Sequence, residues 1–217
     1  MKKRLVVYTA IFNGRDRYRE PSSGDFDCVL FTDKPIETNR TRVVVVPNVF
    51  PEDPVRTARF FKLMPQLFFY EYEYTMWRDG QIDFKEPIDV DALTRAIGNA
   101  SIATLVHRER TCVYQELEKC TEFLLDDPET MRRQVEGYRQ EGYPALRGLS
   151  ETGVVLRRAQ PESDAFNFAW WRELSTKSRR DQLSFDYVAW KLGIKVAHFP
   201  GDVSCSPYFT LVPHTSK

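Results

Sequence analysis

The amino-acid sequence predicts an α/β fold, with a single domain over residues 1–217 and a mostly parallel central sheet flanked by helices. Short β-rich apolar runs alternate with helical patterns, most clearly in the first half of the chain, as in α/β proteins. The runs are continuous, which is typical of strands buried on both faces of a sheet. Hydrophobic residues make up 42% of the chain and aromatic residues 13%, which is enough for a hydrophobic core.

Local signals mark where the predicted elements begin and end. Asn13-Gly14 is typical of a turn after the first strand. Asp53 and Pro54 predict the N-cap and first turn of a helix, which Pro65 ends or restarts. The predicted strands cover residues 5–11, 27–32, 42–47, 74–79, 101–106, 153–157 and 195–199, and the predicted helices cover residues 54–64, 90–97, 113–124, 128–140, 164–174 and 181–192.

Charge and cysteine content argue against several classes of protein. Lys plus Arg number 31, as do Asp plus Glu, so nothing favours a nucleic acid or a membrane held by electrostatics. The four cysteines form no C-x-x-C pair, which predicts free thiols in a reducing, cytoplasmic environment. No stretch reaches the ~20 apolar residues of a transmembrane helix, and the first apolar run predicts a strand rather than a signal peptide.

Polar residues follow the predicted strands at the edge where ligands of α/β sheets bind. Thr9 and Ala10 end the first strand, Asp33 follows the second strand, and Asp79 follows the fourth. His198 lies in the last strand. Each of these residues alone is also explained by an ordinary solvated loop.

Three cations recur every three residues in the helix that follows Asp53. Arg56, Arg59 and Lys62 therefore lie along one broad side of that helix. A diphosphate needs such a set, because its charge must be neutralised while it leaves. The alternative is a solvated helix face.

Asp79 follows Trp77-Arg78 at the end of an apolar strand. A carboxylate in this place can hold a hard divalent cation that bridges phosphate oxygens, with Asp83 and His198 as further candidate ligands. Asp-Gly is also a common turn, and His198 is also explained as an ordinary, partly buried histidine.

Two more carboxylates lie where elements begin. Asp181, followed by Gln182, opens a helix, where the helix dipole stabilises a carboxylate, so capping alone would also explain it. Glu151 precedes Thr152-Gly153 at the start of a strand, where the backbone can approach a ligand closely. No G-x-G-x-x-G, P-loop, G-x-S-x-G or H-E-x-x-H motif is present.

In this order, the motifs resemble those of a glycosyltransferase-like family known from plant mucilage-related and "turned on in the dark" proteins and from bacterial relatives. The matching segments span about residues 5–190, most of the chain. They are Tyr8-Thr-Ala-Ile-Phe-Asn-Gly-Arg-Asp16, Phe31-Thr-Asp33, Arg56-x-x-Arg59-x-x-Lys62-x-x-Pro65, Tyr72-x-Tyr74-x-x-Trp77-x-Asp79-Gly80-x-Ile82, His107-x-x-Arg110-x-x-x-Tyr114-x-Glu116, Gly148-Leu-x-Glu151-x-Gly153-Val154, Trp170-Trp-x-Glu173 and Arg180-Asp-Gln-Leu-Ser-Phe185.

The layout is also similar to the GT-A families that include glycogenin and bacterial lipopolysaccharide hexosyltransferases. Gln81 stands where those families have a second metal-binding Asp, and an amide oxygen is a poorer ligand than a carboxylate. Glu151 replaces an Asn, which changes how a sugar is held. Their Asp-x-Asp, Asn-Ser-Gly-Val, Asp-Gln and His-Phe signatures correspond here to Asp79-Gly-Gln81, Glu151-Thr-Gly-Val154, Asp181-Gln182 and His198-Phe199.

The resemblance implies a GT-A, Rossmann-like domain that transfers a hexose from a nucleoside diphosphate, in particular uridine diphosphate, to a glycan or another hydroxyl acceptor. It also implies a divalent cation, Mn²⁺ or Mg²⁺. The implied roles are donor binding for Thr9, Ala10, Asp33, Arg56, Arg59, Lys62 and Gln182, metal binding for Asp79 and His198, and sugar positioning or proton transfer for Asp181 and Glu151.

Two other functions stay open at the level of sequence. One is a ceramidase-like hydrolase, since some relatives in the resembled family have been described as ceramidases. The other is a non-catalytic module that binds a nucleotide sugar or a sugar and has lost metal binding through Gln81. Residues 204–217 show no clear element, and are either a loop that folds over a site or a loose end.

Overall fold

The structure, a computed structural model, describes residues 2–212 of the chain. Strands and helices alternate in it broadly as the sequence predicts. The strands are β1 (Lys3–Ile11), β2 (Asp27–Thr32), β3 (Thr41–Val45), β4 (Tyr72–Arg78), β5 (Ile82–Phe84), β6 (Ile102–Val106), β7 (Ser150–Arg158), β8 (Val196–His198) and β9 (Phe209–Leu211). The helices are α1 (Pro54–Leu63), α2 (Val90–Ala96), α3 (Val113–Glu122), α4 (Pro128–Gln140), α5 (Pro161–Thr176) and α6 (Gln182–Leu192), and a 3-10 helix follows α1 over Pro65–Leu67.

The central sheet contains seven strands in the order β3-β2-β1-β4-β7-β6-β8. Neighbouring strands are parallel except for β7, which runs antiparallel to both β4 and β6. The prediction of a mostly parallel sheet flanked by helices is therefore confirmed. Because β7 is reversed, its amino end lies at the same edge as the carboxyl end of β4, and the Asp79 backbone NH donates to the Gly153 carbonyl at 2.8 Å.

Side chains of the buried strands alternate between two hydrophobic layers. In β1, Val6 and Tyr8 face the layer that contains α1, α5 and α6, whereas Leu5 and Val7 face the layer that contains α2. All four side chains are buried. This two-sided burial explains why the strand segments are continuously apolar instead of alternating with polar residues.

The helix ends are set by residues close to them in the chain. Asp53 accepts a hydrogen bond from the Arg56 backbone NH at 3.0 Å, and Asp127 caps α4 through the Thr130 backbone NH at 2.8 Å. Gly193 ends α6 with a φ of 66°, in the left-handed region that favours glycine. Of the helices within residues 2–212, none combines the length and apolar character needed to cross a bilayer.

A second, two-stranded sheet, formed by β5 and β9, lies beyond the Asp79-Gly80 turn. Neither strand is predicted from the sequence, because three residues carry too little hydrophobic pattern. Phe209 is fully buried, and the Val212 backbone NH donates to the Gln81 carbonyl at 2.8 Å. The described part of the 204–217 segment is therefore fastened to the fold beside Gln81, whereas residues 213–217 lie outside the described residues.

Close packing at Gly153 gives a test of this arrangement. A Cβ at Gly153 would lie 2.5 Å from Cδ1 of the buried Ile82, so we expect Gly153→Ala to lower the free energy of unfolding by about 1 to 3 kcal/mol in urea denaturation. Gly137→Ala in α4 is the matched control, since its Cβ would meet nothing within 4 Å, and we expect a gain of up to about 1 kcal/mol. An unchanged free energy of unfolding in Gly153→Ala would contradict the close contact between Gly153 and Ile82.

Candidate functional site

A cleft of about 140 Å³ opens at the carboxyl edge of the sheet, between the end of β1, the start of α1 and the turn after β4. Its walls approach closely, because a Cβ at Gly80 would lie 3.0 Å from the Cβ of Asp16. Residue 80 must therefore be small for the loop after β1 to close over this edge. The side chains that line the cleft include those of Ala10, Arg15, Arg59, Asp79 and Gln81.

Four charged side chains meet beside this cleft, and we refer to Arg59, Lys62, Asp79 and Asp181 as the charged cluster. Lys62 Nζ lies 2.5 Å from Asp181 Oδ2, and Arg59 Nε lies 3.0 Å from Asp181 Oδ1. Asp79 Oδ1 lies 3.8 Å from both Arg59 Nη1 and Lys62 Nζ. The sequence predicts all four as site residues, and the fold brings them together as two cations balanced by two carboxylates.

The charged cluster has a buried half and an accessible half. Lys62 is 0% exposed and Asp181 is 2% exposed, whereas the Arg59 and Asp79 side chains are 17% and 22% exposed. Burial alone would raise the pKa of Asp181, but the charges of Arg59 and Lys62 hold that pKa well below its usual value. Arg59 and Asp79 are therefore the members of the cluster that a ligand in the cleft can reach.

Hydrogen bonds from neighbouring elements hold the two carboxylates. Trp77 Nε1 donates to Asp79 Oδ1 at 2.7 Å, and Thr152 Oγ1 donates to Asp181 Oδ2 at 3.0 Å. Trp170 Nε1 donates to the Asp181 backbone carbonyl at 2.9 Å. Because β4, β7 and α5 each supply one of these donors, the cluster depends on three separate parts of the fold.

Sequence reasoning does not assign Trp77, Trp170 or Thr152 to the site. Both indole rings also contact Lys62, whose Nζ lies 5.5 Å from the Trp77 centroid and 5.9 Å from the Trp170 centroid, within the range of cation–π attraction. The available signals were the position of Trp77 two residues before Asp79 and the position of Thr152 inside the motif that begins at residue 151.

Asp181 occupies the N-cap position of α6, yet its side chain makes no capping hydrogen bond within the described chain. Its oxygens face Lys62 and Arg59 instead. Helix capping, the alternative explanation for this residue, is therefore not the role of its carboxylate.

Glu151 lies at the start of β7 and is half-buried. Burial raises the pKa of its carboxyl to about 7, a rise that the Arg108 guanidinium opposes and the Asp79 carboxylate reinforces. A group with a pKa near neutrality is suited to proton transfer.

Two of the predicted donor-binding residues make contacts within the protein. Thr9 Oγ1 donates to the Arg78 carbonyl at 2.8 Å, which joins β1 to the end of β4. Asp33 accepts a hydrogen bond from the Asn13 backbone NH at 3.0 Å, which holds the turn after β1. Ala10, in contrast, lines the cleft itself.

Arg56 is bound elsewhere, although it lies on the same helix as Arg59. Its guanidinium pairs with Asp53 at 3.2 Å and donates to the Leu174 carbonyl at the end of α5. The structure thus separates Arg56 from the two cations of the charged cluster.

Gln182 is another of the predicted donor-binding residues. Its Nε2 is buried and has no hydrogen-bond partner within residues 2–212.

The side chains of residues 2–212 do not form a complete ligand set for a divalent cation. No group of three or more His, Cys, Asp or Glu side chains within residues 2–212 is arranged to hold a metal ion. His198 is exposed on β8, with Nε2 3.5 Å from Ser150 Oγ, and the Asp83 carboxylate is paired with Arg78 at 2.7 Å. Asp79 itself has the two cations of the cluster 3.8 Å away. The Mn²⁺ or Mg²⁺ ion, with Asp79 and His198 as its ligands, stays a prediction.

Similarities to known proteins link the chain to glycosyltransferases. The family model for the TOD1/MUCI70 glycosyltransferase-like domain matches residues 1–201. The chain is 26% identical over 220 residues to an Arabidopsis thaliana protein named "Probable hexosyltransferase MUCI70", a match that covers 88% of the chain and 38% of that protein. An apo structure of the bifunctional glycosyltransferase WbbM is similar with a TM-score of 0.52 and 12% identity, over 92% of this chain and 39% of that one. The structural similarity shows an α/β, GT-A-like fold.

Asp181→Asn tests the buried ion pair. Removing one partner of such a pair typically costs about 3 to 5 kcal/mol, and we expect a loss of that size in urea denaturation at neutral pH. The pKa of Asp181 is lowered in the folded state from its ordinary value of 3.8, so its stabilisation is present above that value and is lost as the pH falls below it. The loss in Asp181→Asn should therefore shrink in acid.

The double variant Asp181→Asn, Lys62→Met is the control for this test. It removes one cation together with the carboxylate, so it should recover most of the stability. If Asp181→Asn alone were as stable as the wild type at neutral pH, the ion pair would not be formed.

Proposed function

This chain belongs to the TOD1/MUCI70 glycosyltransferase-like family, and we propose that it moves a hexose from a nucleoside diphosphate sugar to a hydroxyl group of a glycan or a similar acceptor, with uridine diphosphate as the leaving group. The observation that carries this proposal is the presence of two fixed cations beside an open cleft at the carboxyl edge of the sheet. The name of the Arabidopsis relative, a hexosyltransferase, supports a hexose as the transferred group.

In this proposal, the cleft binds the nucleoside and the diphosphate of the donor. The nucleoside lies near Ala10, where β1 ends, and the diphosphate lies against Arg59, since both residues line the cleft. Arg59 Nε faces Asp181, while Nη1 lies on the side of Asp79 and is the end of the guanidinium that binds a phosphate oxygen in this proposal. Lys62 is fully buried, so it acts on the donor through the placement of Asp181 rather than by direct contact.

Stabilisation of the leaving diphosphate is the main catalytic effect in this proposal. Charges that are fixed before the reaction need no reorganisation when negative charge develops. Before the sugar donor binds, the two carboxylates of the charged cluster hold Arg59 and Lys62 in place. The same carboxylates also balance the positive charge of these two side chains. No step is assigned to a metal ion.

The two candidate bases differ in their surroundings. Asp181 is paired with two cations that keep it ionised and make it a weak base, and at 2% exposure it orients the donor only through Arg59, its partner that lines the cleft. Glu151 has a carboxyl pKa raised by burial to about 7. Glu151 also lies at the start of β7, at the edge of the sheet where the Asp79 backbone NH binds the Gly153 carbonyl, so we assign removal of the acceptor's hydroxyl proton to Glu151.

Donor binding distinguishes the two arginines of α1. Arg59→Gln should weaken the affinity for uridine diphosphate by about tenfold or more, because a charge-assisted hydrogen bond is lost, and should leave the affinity for uridine unchanged. Arg56→Gln removes the same charge from the same helix and should change neither affinity. Isothermal titration calorimetry measures both affinities. If Arg59→Gln lowered the affinity for uridine diphosphate and for uridine equally, α1 would support the fold without binding the diphosphate.

The same titrations, run with a chelator and with saturating Mn²⁺, test the divalent cation. We expect the affinity for uridine diphosphate to change by less than about threefold, because residues 2–212 offer no complete ligand set. A larger gain that Asp79→Asn removes would establish a metal site at Asp79. Donor binding without release of uridine diphosphate, across a panel of sugars and acceptors, would instead identify a non-catalytic binding module.

The pH dependence of transfer tests Glu151. Only the ionised carboxylate accepts a proton, so the transfer rate should rise as the pH increases through about 7 and then level off. Glu151→Gln should lower kcat by about 100-fold or more and remove this rise, while the exposed-surface control Glu118→Gln changes neither. A wild-type pH profile in Glu151→Gln would remove Glu151 from the chemistry.

A further inference from the structure

Arg157 lies behind the charged cluster, in β7, and is 1% exposed. Its guanidinium makes three hydrogen bonds. Nε donates to Asn167 Oδ1 at 2.8 Å, Nη1 donates to the Tyr8 hydroxyl at 3.1 Å, and Nη2 donates to the Lys62 backbone carbonyl at 3.1 Å. All three acceptors are neutral groups, so Arg157 is a buried cation with no carboxylate among its hydrogen-bond partners.

The end of α1 compensates this buried charge. The carbonyl of Lys62 lies in the last turn of α1, where helix carbonyls have no partner within the helix and carry partial negative charge. The Tyr8 hydroxyl donates to the same carbonyl at 2.9 Å. Arg157 and Tyr8 therefore cap the carboxyl end of the helix whose side chains supply both cations of the charged cluster.

Trp170 links Arg157 to the cluster by a second route. The Arg157 guanidinium lies 5.7 Å from the Trp170 ring centroid, and Lys62 Nζ lies 5.9 Å from it. The indole NH of Trp170 donates to the Asp181 carbonyl. Arg157 thus contacts the backbone of Lys62 and the ring that packs against both partners of the buried ion pair.

We propose that Arg157 is a positioning residue for transfer: it fixes the backbone of Lys62, and through it the ammonium that holds Asp181. A buried charge without a counter-ion is a poor stabiliser, and an apolar side chain of similar volume often serves stability as well. What an apolar side chain does not provide is a planar fork that orients three acceptors at once. The effect on catalysis rests on the proposed function, whereas the effect on Lys62 does not.

Arg157→Lys tests this role, because it keeps the charge and loses the fork. We expect kcat to fall about 10- to 100-fold, as for other small displacements of catalytic groups, with little change in the KM for the donor. Arg158→Lys is the matched control. Arg158 is the next residue of β7 and binds Tyr74 and the Gly98 carbonyl outside the site, so its replacement should leave kcat within about twofold.

A double-mutant cycle separates positioning from general stability. In a Lys62→Met background, Arg157→Lys should lower kcat no further, because its effect passes through Lys62. A residue that only stabilised the fold would reduce kcat equally in both backgrounds, and that result would overturn the proposal.

Nitrogen-15 NMR of the Lys62 ammonium gives a readout that needs no activity. A buried, paired ammonium is protected from exchange with water, and its signal should shift or broaden in Arg157→Lys but not in Arg158→Lys. If Arg157→Lys does not fold, Tyr8→Phe, which removes the other donor to the Lys62 carbonyl, should change the signal in the same way. An unchanged signal would overturn the proposal. A changed signal without transfer in any variant would uphold the positioning and reject the proposed function.

Discussion

The ion pair between Lys62 and Asp181 is the interaction on which the rest of the site depends. Removing two charges from water costs several kcal/mol for each ion, and a contact as close as 2.5 Å, supported by the Thr152 hydroxyl, is what makes their burial tolerable. That geometry is met only when α1, β7 and the start of α6 hold one relative position. A displacement of any of these elements would leave a buried charge without its partner.

The reversed direction of β7 makes this arrangement possible. In a fully parallel sheet, the first residues of β7 would lie at the opposite edge, far from Asp79. With β7 antiparallel to both neighbours, Glu151 and Thr152 reach the carboxyl edge at the start of the strand, and Arg157 lies further along the same strand. One strand therefore supplies the candidate base, a hydrogen-bond donor to the buried Asp181 carboxylate and the residue that caps the carboxyl end of α1.

Much of the fold could be predicted from local sequence. The continuous apolar runs predict the strands of the central sheet, and Asp53, Asp127 and Gly193 mark helix ends, because a cap or a left-handed turn depends on residues close in the chain. β5 and β9 could not be predicted, since two three-residue strands are defined only by their pairing across the fold.

The sequence by itself determined the fold class, the family and the presence of carboxylates and cations at the carboxyl edge. The tertiary structure alone decided which of them meet. Arg56 and Arg59 are the same type of residue on the same helix, yet Arg56 binds the end of α5 and Arg59 binds Asp181. Asp181 has the sequence position of a helix cap, yet it balances the charges of two cations from residues more than a hundred positions away. Burial and ion pairing depend on neighbours that are distant in the chain, so no local pattern records them.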